Sequence, residues 1–585
     1  MESAELISVL GVALALAMYA VSVSPSLLPK RWWWHAFQSG AMMALGYSLG
    51  WLVDRLGGLV LASMHVHIEA SPWVRDAGPA ILLAFFLLWF IRSVVAFYRS
   101  SKRAAVAVNM KPEKLGEYAI GVIGTLVMFL FTMQVVRLCL WVGGQIYRLL
   151  AKWIYAPVAS VLATVILVGL VLVISNRIVF RAFLELFARK AAQLNNLTAL
   201  DANAPQVPER SGSPASATPW KSVGGQGRLH LVLGPHREDI ERVTGRPARE
   251  PIRIYVGLSE RDAKRRLDDP DLFREAIAEC IAEMHRTGAF DRKVVIVNTA
   301  TGSGWVDEWL CQPAEYLTGG NVATVSLQYS YLFSAVLLFT GLEHCQRAGA
   351  DLFEAVRQEI EALPPGHRPL LVVTGESLGA LGSQTPFTDL EDFVAKADGA
   401  IWTGSPQGSP LSMQLTQARH RGSPQVAPVY DSGRHARFAT SPAELETDIY
   451  GRALGEWKYP RAVFIQHASD PVVWYTPRVA FHEPDWIREK AGNDVSENMS
   501  FTPIVTFMQL LCDLPIAGTT PAGHGHTYHR ELIPAWVKIL GEDDRPARRP
   551  GDEPVRFYLK EWATPEMLQN IGTAIEINLE TNGRN

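Results

Sequence analysis

Long apolar runs fill the first third of the chain, whereas shorter β-branched runs recur through the rest. Five of the long runs could cross a bilayer, and they lie near residues 5–24, 37–61, 79–98, 117–142 and 155–175. They predict five transmembrane helices. Asp54 and Arg55 interrupt the second run, which an ion pair or a position near the interface would accommodate.

Beyond residue 227 the hydrophobic pattern changes to short apolar strands separated by helical stretches. The predicted helices lie at about 270–287, 335–362 and 387–396. The predicted strands are IRIYVG (252–257), KVVIVN (293–298), VATVSL (322–327), PLLVVT (369–374), GAIWTG (399–404) and AVFIQH (462–467). Such alternation is typical of a parallel sheet covered on both faces. We therefore predict a doubly wound α/β domain.

Composition sets the domain boundaries of this 585-residue chain. Residues 1–190 form the predicted helical membrane region. Residues 191–227 are rich in Pro, Ser, Ala and Gly, which indicates a flexible linker. We predict that the α/β domain spans residues 228–560 and that residues 561–585 form a C-terminal tail.

Charge is divided unevenly and predicts an orientation. Residues 1–190 carry 17 Lys or Arg against 8 Asp or Glu, which leaves a net charge of −12 for the rest of the chain. The loops on one side of the five runs hold eleven basic residues, against four on the other side, so the first side is predicted to be cytoplasmic. The eleven are Lys30, Arg31, Arg99, Lys102, Arg103, Lys111, Lys114, Arg177, Arg181, Arg189 and Lys190. With five spans, the large C-terminal part is then cytoplasmic as well.

The same features argue against several classes of protein. An acidic globular part lacks the clustered positive charge that nucleic acids require. The five cysteines are widely spaced and include no CxxC pair, so neither a disulfide framework nor a zinc site is indicated. The TGSG stretch at 301–304 lacks the lysine of a phosphate-binding loop, and we expect no cofactor.

The strongest chemical signal is the GESLG stretch at 375–379. A predicted strand precedes it and small residues suited to a helix follow, which is the setting of the nucleophile elbow in α/β-hydrolases. Serine in such a bend takes an unfavourable backbone conformation, and the flanking glycines let strand and helix approach closely. We predict Ser377 as a nucleophile.

A serine nucleophile needs a base and an acid, and in this fold they follow it in the order acid, histidine. Asp470 comes just after the strand AVFIQH and is preferred over Asp398, Asp431 and Asp448. The loop TTPAGHGHTYH (519–529) supplies the base. The usual final strand before this loop is not evident, so the choice between the two histidines stays open; we place His524 first and His526 second.

Donors for an oxyanion complete the predicted site. The first is the backbone N–H of Leu378, the residue after the nucleophile. The second is expected from the loop that follows the strand at 293–298, at Thr299, Ala300 or Thr301.

The chain resembles a bacterial family of membrane-anchored α/β-hydrolases with an N-terminal multi-span region. The resemblance rests on SPSLLP (24–29), YSYL (329–332), GESLGALG (375–382), QHASDP (466–471) and GHGHTY (523–528), and it covers nearly the whole chain. It implies a serine-hydrolase fold with a triad at Ser377, Asp470 and one of the two histidines. It implies little about the substrate.

Together these features predict a membrane-tethered esterase, lipase or acyltransferase that acts on a lipid or acyl ester, with its catalytic domain on the cytoplasmic side of a bacterial inner membrane. An insertion of nearly sixty residues after GAIWTG could form a cap over the acyl pocket. The arginines of this insertion are Arg419, Arg421, Arg434 and Arg437. They could contact lipid headgroups, although a solvated basic face is the simpler interpretation. The alternative is a non-catalytic membrane scaffold or transporter accessory protein. The sequence leaves the oligomeric state open.

Overall fold

The computed structural model describes residues 8–64, 71–180, 203–258, 270–332, 334–541, 545–547 and 551–582. Its contacts divide the chain into two compact units. Unit 1 comprises Met1–Glu185, Thr476–Lys490 and Asp494–Ile516. Unit 2 comprises Leu186–Tyr475, Ala491–Asn493 and Ala517–Asn585.

Unit 1 begins with five helices. They are α1 (Val9–Ser22), α2 (Trp32–Ser63), α3 (Pro72–Ala107), α4 (Leu115–Leu150) and α5 (Ala156–Val173), and a π-helical turn follows at Ile174–Phe180. Among the described residues, three helical stretches are long and apolar enough to cross a membrane, at Ala77–Ala107, Leu115–Leu150 and Ala156–Arg177. Of the five predicted spans, the first corresponds to a shorter apolar helix of 14 residues, and α2 does not meet this standard.

Small residues allow α1 and α2 to pack closely. A Cβ added at Gly46 would lie 2.5 Å from the carbonyl oxygen of Leu14. Tyr19 of α1 is fully buried beside Met43 of α2 in the small apolar core of this unit.

Unit 2 is built on a seven-stranded sheet in which every neighbouring pair is parallel. The strands are β1 (Ile252–Val256), β2 (Val294–Thr299), β3 (Val322–Leu327), β4 (Leu370–Glu376), β5 (Gly399–Thr403), β6 (Ala436–Ala439) and β7 (Arg461–Ile465). Their order across the sheet is β1-β3-β2-β4-β5-β7-β6. All six predicted strands are present, and the prediction of a parallel α/β sheet is confirmed.

The remaining helices, in chain order, are α6 (Gly224–Leu233), α7 (Arg237–Thr244), α8 (Pro270–Thr287), α9 (Gln312–Leu317), α10 (Ser334–Thr340), α11 (Leu342–Ala362), α12 (Leu378–Gln384), α13 (Leu390–Lys396), α14 (Pro410–Gln417), α15 (Pro471–Trp474), α16 (Asp485–Glu489), α17 (Val505–Asp513), α18 (Leu532–Leu540), α19 (Leu559–Trp562) and α20 (Pro565–Asn582). Helices α16 and α17 belong to unit 1. The others belong to unit 2, whose strands are buried almost throughout and contribute to two hydrophobic cores. Burial on both faces explains the near-continuous apolar strands in the sequence.

Two segments that were predicted to lie outside the catalytic domain are packed into unit 2. Within the predicted linker, Arg210 is buried and forms a parallel bridge with Arg253 of β1, while residues 191–202 lie outside the described residues. Within the predicted tail, Ile571 and Ile575 of α20 are fully buried in one of the hydrophobic cores. Residues 203–227 and 565–582 are therefore part of the folded unit.

Candidate active site

Ser377 lies between the end of β4 and the start of α12. Its backbone has φ +57° and ψ −126°, a conformation that residues with a Cβ avoid. The Ser377 N–H donates to the carbonyl of Thr403 at 3.0 Å, which ties the bend to the end of β5. The serine is therefore held at the carboxyl edge of the sheet in a strained turn.

The glycines beside Ser377 permit this turn. A Cβ at Gly375 would lie 2.4 Å from the carbonyl group of Gly379, and a Cβ at Gly379 would lie 2.2 Å from the carbonyl oxygen of Thr299. Strand β4, helix α12 and the end of β2 thus meet with no room for a side chain. This is the steric reason for the glycine spacing in GESLG.

Asp470 and His526 are joined by a hydrogen bond beyond the end of β7. Asp470 is fully buried just beyond β7, and its Oδ2 lies 2.6 Å from Nδ1 of His526. The Tyr528 hydroxyl donates to the same oxygen at 2.6 Å, and the Val472 N–H donates to Oδ1 at 2.9 Å. These donors fix the carboxylate, which in turn orients the imidazole.

The His526 ring occupies a place that only glycine leaves open. Gly404, the first residue after β5, has φ +53°, and a Cβ there would lie 2.4 Å from Cε1 of His526. The Nε2 atom of His526 is buried and has no hydrogen-bond partner within the described part of the chain. The ring therefore carries one nitrogen held by Asp470 and one nitrogen available for a proton.

Of the two candidate histidines, the structure brings His526 to Asp470. His524 lies two residues earlier and forms a short antiparallel bridge with Thr527. Its carbonyl accepts the Thr520 hydroxyl at 2.6 Å. The geometry thus favours the histidine that the sequence analysis placed second.

A buried pair of carboxyl groups lies beside the imidazole. Glu376, the residue before Ser377, has Oε1 3.8 Å from Nε2 of His526. Glu376 also hydrogen-bonds Asp307, and such a bond between two carboxyl groups requires a shared proton. Burial and the neighbouring Asp307 raise the pKa of Glu376 well above its usual value, and burial raises the pKa of Asp307 to about 7. Because that bond raises the pKa of Glu376 and lowers that of Asp307, we assign the proton to Glu376.

The predicted oxyanion donors differ in their availability. Leu378 is the first residue of α12, so its N–H is one of the first-turn donors that have no acceptor within a helix. Thr299 belongs to β2, where it is paired in register with Gly375. The N–H of Thr301 donates to the carbonyl of Trp305 at 2.8 Å, so the prediction of Thr301 as a backbone donor is corrected. Ala300, directly after β2, is left as the second candidate.

Four residues of this site escaped the sequence analysis: Glu376, Asp307, Tyr528 and Gly404. Each had a signal in the sequence. Glu376 is part of GESLG, Tyr528 is part of GHGHTY, and Gly404 ends a predicted strand. Asp307 lies a few residues beyond the predicted oxyanion loop.

The insertion after β5 differs from a simple cap. Its segment Ala436–Ala439 is strand β6, which pairs with β7 at the edge of the sheet. Arg437 is buried and donates to the carbonyls of Gly433, Leu445 and Gly455, so it is not a headgroup contact. Arg421 and Arg434 are exposed.

Comparison with known proteins supplies two matches. Residues 252–549 match the model of an alpha/beta-hydrolase family, and residues 23–235 match the model of the N-terminus of that family. No curated protein and no solved structure matches the chain. Among the described residues, no group of three or more His, Cys, Asp or Glu side chains could hold a metal ion.

Proposed function

The chain belongs to the alpha/beta-hydrolase family, and from this premise we propose that it is a serine hydrolase that cleaves or transfers an acyl group through Ser377, His526 and Asp470. The proposal depends chiefly on one observation. Asp470 holds His526 at 2.6 Å in the same unit whose sheet carries Ser377 in a strained bend at its carboxyl edge.

In the proposed reaction, Ser377 Oγ attacks the ester carbonyl while Nε2 of His526 takes its proton. Asp470 stabilises the imidazolium that forms, because its carboxylate already accepts the Nδ1 proton. The protonated imidazole then returns the proton to the departing alcohol, which leaves an acyl group on Ser377. Water or a second alcohol, activated by the same histidine, releases the acyl group.

The negative charge that develops on the carbonyl oxygen in the transition state has to be stabilised by backbone N–H donors. We assign this role to the N–H groups of Leu378 and Ala300, which flank the bend at the ends of α12 and β2. One such donor typically contributes about 3 kcal/mol to the transition state. The neutral Glu376 avoids a competing negative charge next to this oxyanion.

The substrate class is proposed from the first third of the chain. In the described part of unit 1, three helical stretches are long and apolar enough to span a membrane, which supports tethering of the hydrolase to a bilayer. A tethered enzyme meets acyl esters at high local concentration when they reside in the same membrane. We therefore propose an acyl ester of a membrane lipid as substrate, at a bacterial inner membrane.

The proposal is tested with the purified full-length protein in detergent micelles. Release of p-nitrophenol is measured from esters with short and long acyl chains, and release of fatty acid is measured from phospholipid in mixed micelles. We expect hydrolysis that increases with acyl chain length and is lost in Ser377→Ala. A matched control is Ser383→Ala, since Ser383 lies on α12 and contacts Trp402 rather than the site.

Absence of hydrolysis and of acyl transfer to an added alcohol, in a protein that folds normally, would overturn the proposal. It would favour the alternative of a non-catalytic membrane scaffold. Equal activity in the wild type and in Ser377→Ala would assign catalysis to another group.

A further inference from the structure

The chain between the acid and the base leaves the hydrolase unit. Six residues after Asp470 it joins unit 1, in which residues 476–490 and 494–516 are assembled with the N-terminal helices. It resumes in unit 2 at Ala517, nine residues before His526. We call residues 476–490 and 494–516 the excursion. Both of its ends therefore lie close in sequence to groups of the proposed triad.

The excursion is held in unit 1 by buried polar contacts at α17. Asp513, the last residue of α17, is fully buried and lies 3.0 Å from Nζ of Lys30, whose side chain is only 6% exposed. Gln509, one turn earlier, donates to the carbonyl of Ser24 at 2.8 Å. A buried charge that loses its partner is costly, so this pairing fixes the end of α17 firmly.

These contacts give a role to the SPSLLPK stretch at 24–30, which the proposed reaction does not use. Lys30 was expected among the basic residues at the membrane surface. Instead it is buried, and it donates to Ser26 within the same stretch and pairs with Asp513 of the excursion. The stretch between α1 and α2 therefore binds the excursion.

The segment that follows α17 contacts the backbone of His526. A 3₁₀ helix at Leu514–Thr519 follows α17 without a break. Within it, the carbonyl of Ala517 accepts the His526 N–H at 2.9 Å. Only three residues separate Asp513 from Ala517, and they are helical, so the contact of Asp513 and the backbone contact of His526 lie close together along the chain.

We propose that Lys30 is a positioning residue for the base: by holding Asp513 it fixes Ala517, and through Ala517 it fixes His526 against Asp470. The inference rests on the proposed function in so far as His526 is the base. A displacement of a reacting group by about 1 Å can cost about 100-fold in rate, so loss of this support lowers kcat rather than substrate binding.

The experiment compares full-length variants in micelles. Lys30→Gln and Asp513→Asn each break the pair, Lys30→Arg retains it, and Gly46→Ala disturbs the packing of α1 on α2 without touching the excursion. We measure kcat and KM on a soluble acyl ester and hydrogen exchange of peptides covering residues 514–528. The exchange readout does not depend on catalysis.

We expect Lys30→Gln and Asp513→Asn to lower kcat by about tenfold or more with KM nearly unchanged, and to speed exchange in residues 514–528. The kcat of the double variant should be no lower than that of the slower single variant. The reason is that the same contact between Lys30 and Asp513 is lost in all three variants. Lys30→Arg should retain both properties, and Gly46→Ala should leave exchange in this segment unchanged.

The inference is overturned if exchange in residues 514–528 is the same in Lys30→Gln and wild type, or if Gly46→Ala speeds it equally. It is also overturned if exchange changes while kcat of an active enzyme does not. If the wild type has no activity on any ester, the proposed function fails. Faster exchange in Lys30→Gln would still support the mechanical connection from Lys30 to His526.

Discussion

At the scale of single residues, the proposed chemistry depends on groups that the fold holds in costly states. Ser377 has a positive φ, and a conformation of this kind costs about 1–3 kcal/mol. Glu376 and Asp307 share a proton in the interior, next to the imidazole of His526. Natural proteins concentrate such strain where function requires it.

The sequence analysis places His524 before His526, whereas the structure brings His526, and not His524, to Asp470. The position of the two histidines depends on contacts that no local pattern encodes. Gly525 donates its N–H to Ser469 at 2.8 Å, and the His526 N–H donates to Ala517 at 2.9 Å. Together these bonds turn residue 526, rather than residue 524, toward Asp470.

The first prediction separates the two histidines. His526→Ala should lower kcat for ester hydrolysis by about 10³-fold or more, because it removes the base. His524→Ala should leave the rate near the wild-type value, since its ring is not the one that Asp470 binds. The measurement is kcat for ester hydrolysis in both variants. Their unfolding curves serve as a control for folding. The opposite ranking would contradict our assignment.

The second prediction concerns pH and the carboxyl pair. The pKa values of Glu376 and Asp307 are raised on folding, so the folded protein keeps a proton that the unfolded chain releases above about pH 4.5. The resulting stability is present at acidic pH and is lost as the pH rises, through about 7 for Asp307 and through a pKa well above the usual value for Glu376. Glu376→Gln retains a neutral hydrogen-bond donor at this position. Between pH 5.5 and 8 its free energy of unfolding should therefore fall less than that of the wild type, by a difference on the order of 2 kcal/mol.

Denaturant unfolding of both proteins at several pH values measures this difference. Glu391→Gln, an exposed position on α13, is the matched control and should follow the wild type. Identical pH dependence in wild type and Glu376→Gln would show that the pair does not share a proton.

At the scale of elements, the sheet was predictable and its edges were not. Six buried strands are near-continuous apolar runs, which a sequence pattern reveals. Strand β6 is four residues long and includes Arg437, whose partners are carbonyls and a carboxylate, that of Glu446, from other parts of the insertion. Helix α20 buries only a few of its residues, so its pattern gives a weak signal.

The third prediction tests the close junction of β4, α12 and β2. Gly379→Ala places a Cβ 2.2 Å from the Thr299 carbonyl oxygen and should destabilise unit 2 by about 1–3 kcal/mol. The backbone shift that relieves this conflict should also lower activity, because it moves Ser377. Gly144→Ala is the control, since a Cβ there meets nothing within 4 Å. Equal denaturation midpoints for Gly379→Ala and wild type would contradict the predicted steric conflict.

At the scale of the whole molecule, sequence and structure divide the chain differently. Sequence composition separates an apolar amino-terminal third from the rest. The contacts instead assign residues 476–490 and 494–516 to the unit of the N-terminal helices. This could not be read from the sequence, because the apolar run that forms α17 also suits a buried helix of a hydrolase domain. The partners of Asp513 and Gln509 show where it belongs.

The fourth prediction concerns membrane attachment. If the three long apolar stretches are inserted in a bilayer, the full-length protein should remain in the membrane fraction after alkaline carbonate and high-salt washes. Detergent should release it. A peripheral membrane protein washed in parallel serves as control. Release of the protein by carbonate alone would contradict membrane insertion.

Covalent labelling shows whether Ser377 is an activated nucleophile. The full-length protein is treated with a fluorophosphonate probe, and the modified residue is located by peptide mass spectrometry. We expect one adduct on Ser377, no adduct in Ser377→Ala and strongly slowed labelling in His526→Ala. A folded wild-type protein that takes up no probe, or a Ser377→Ala variant labelled as fast as wild type, would contradict it.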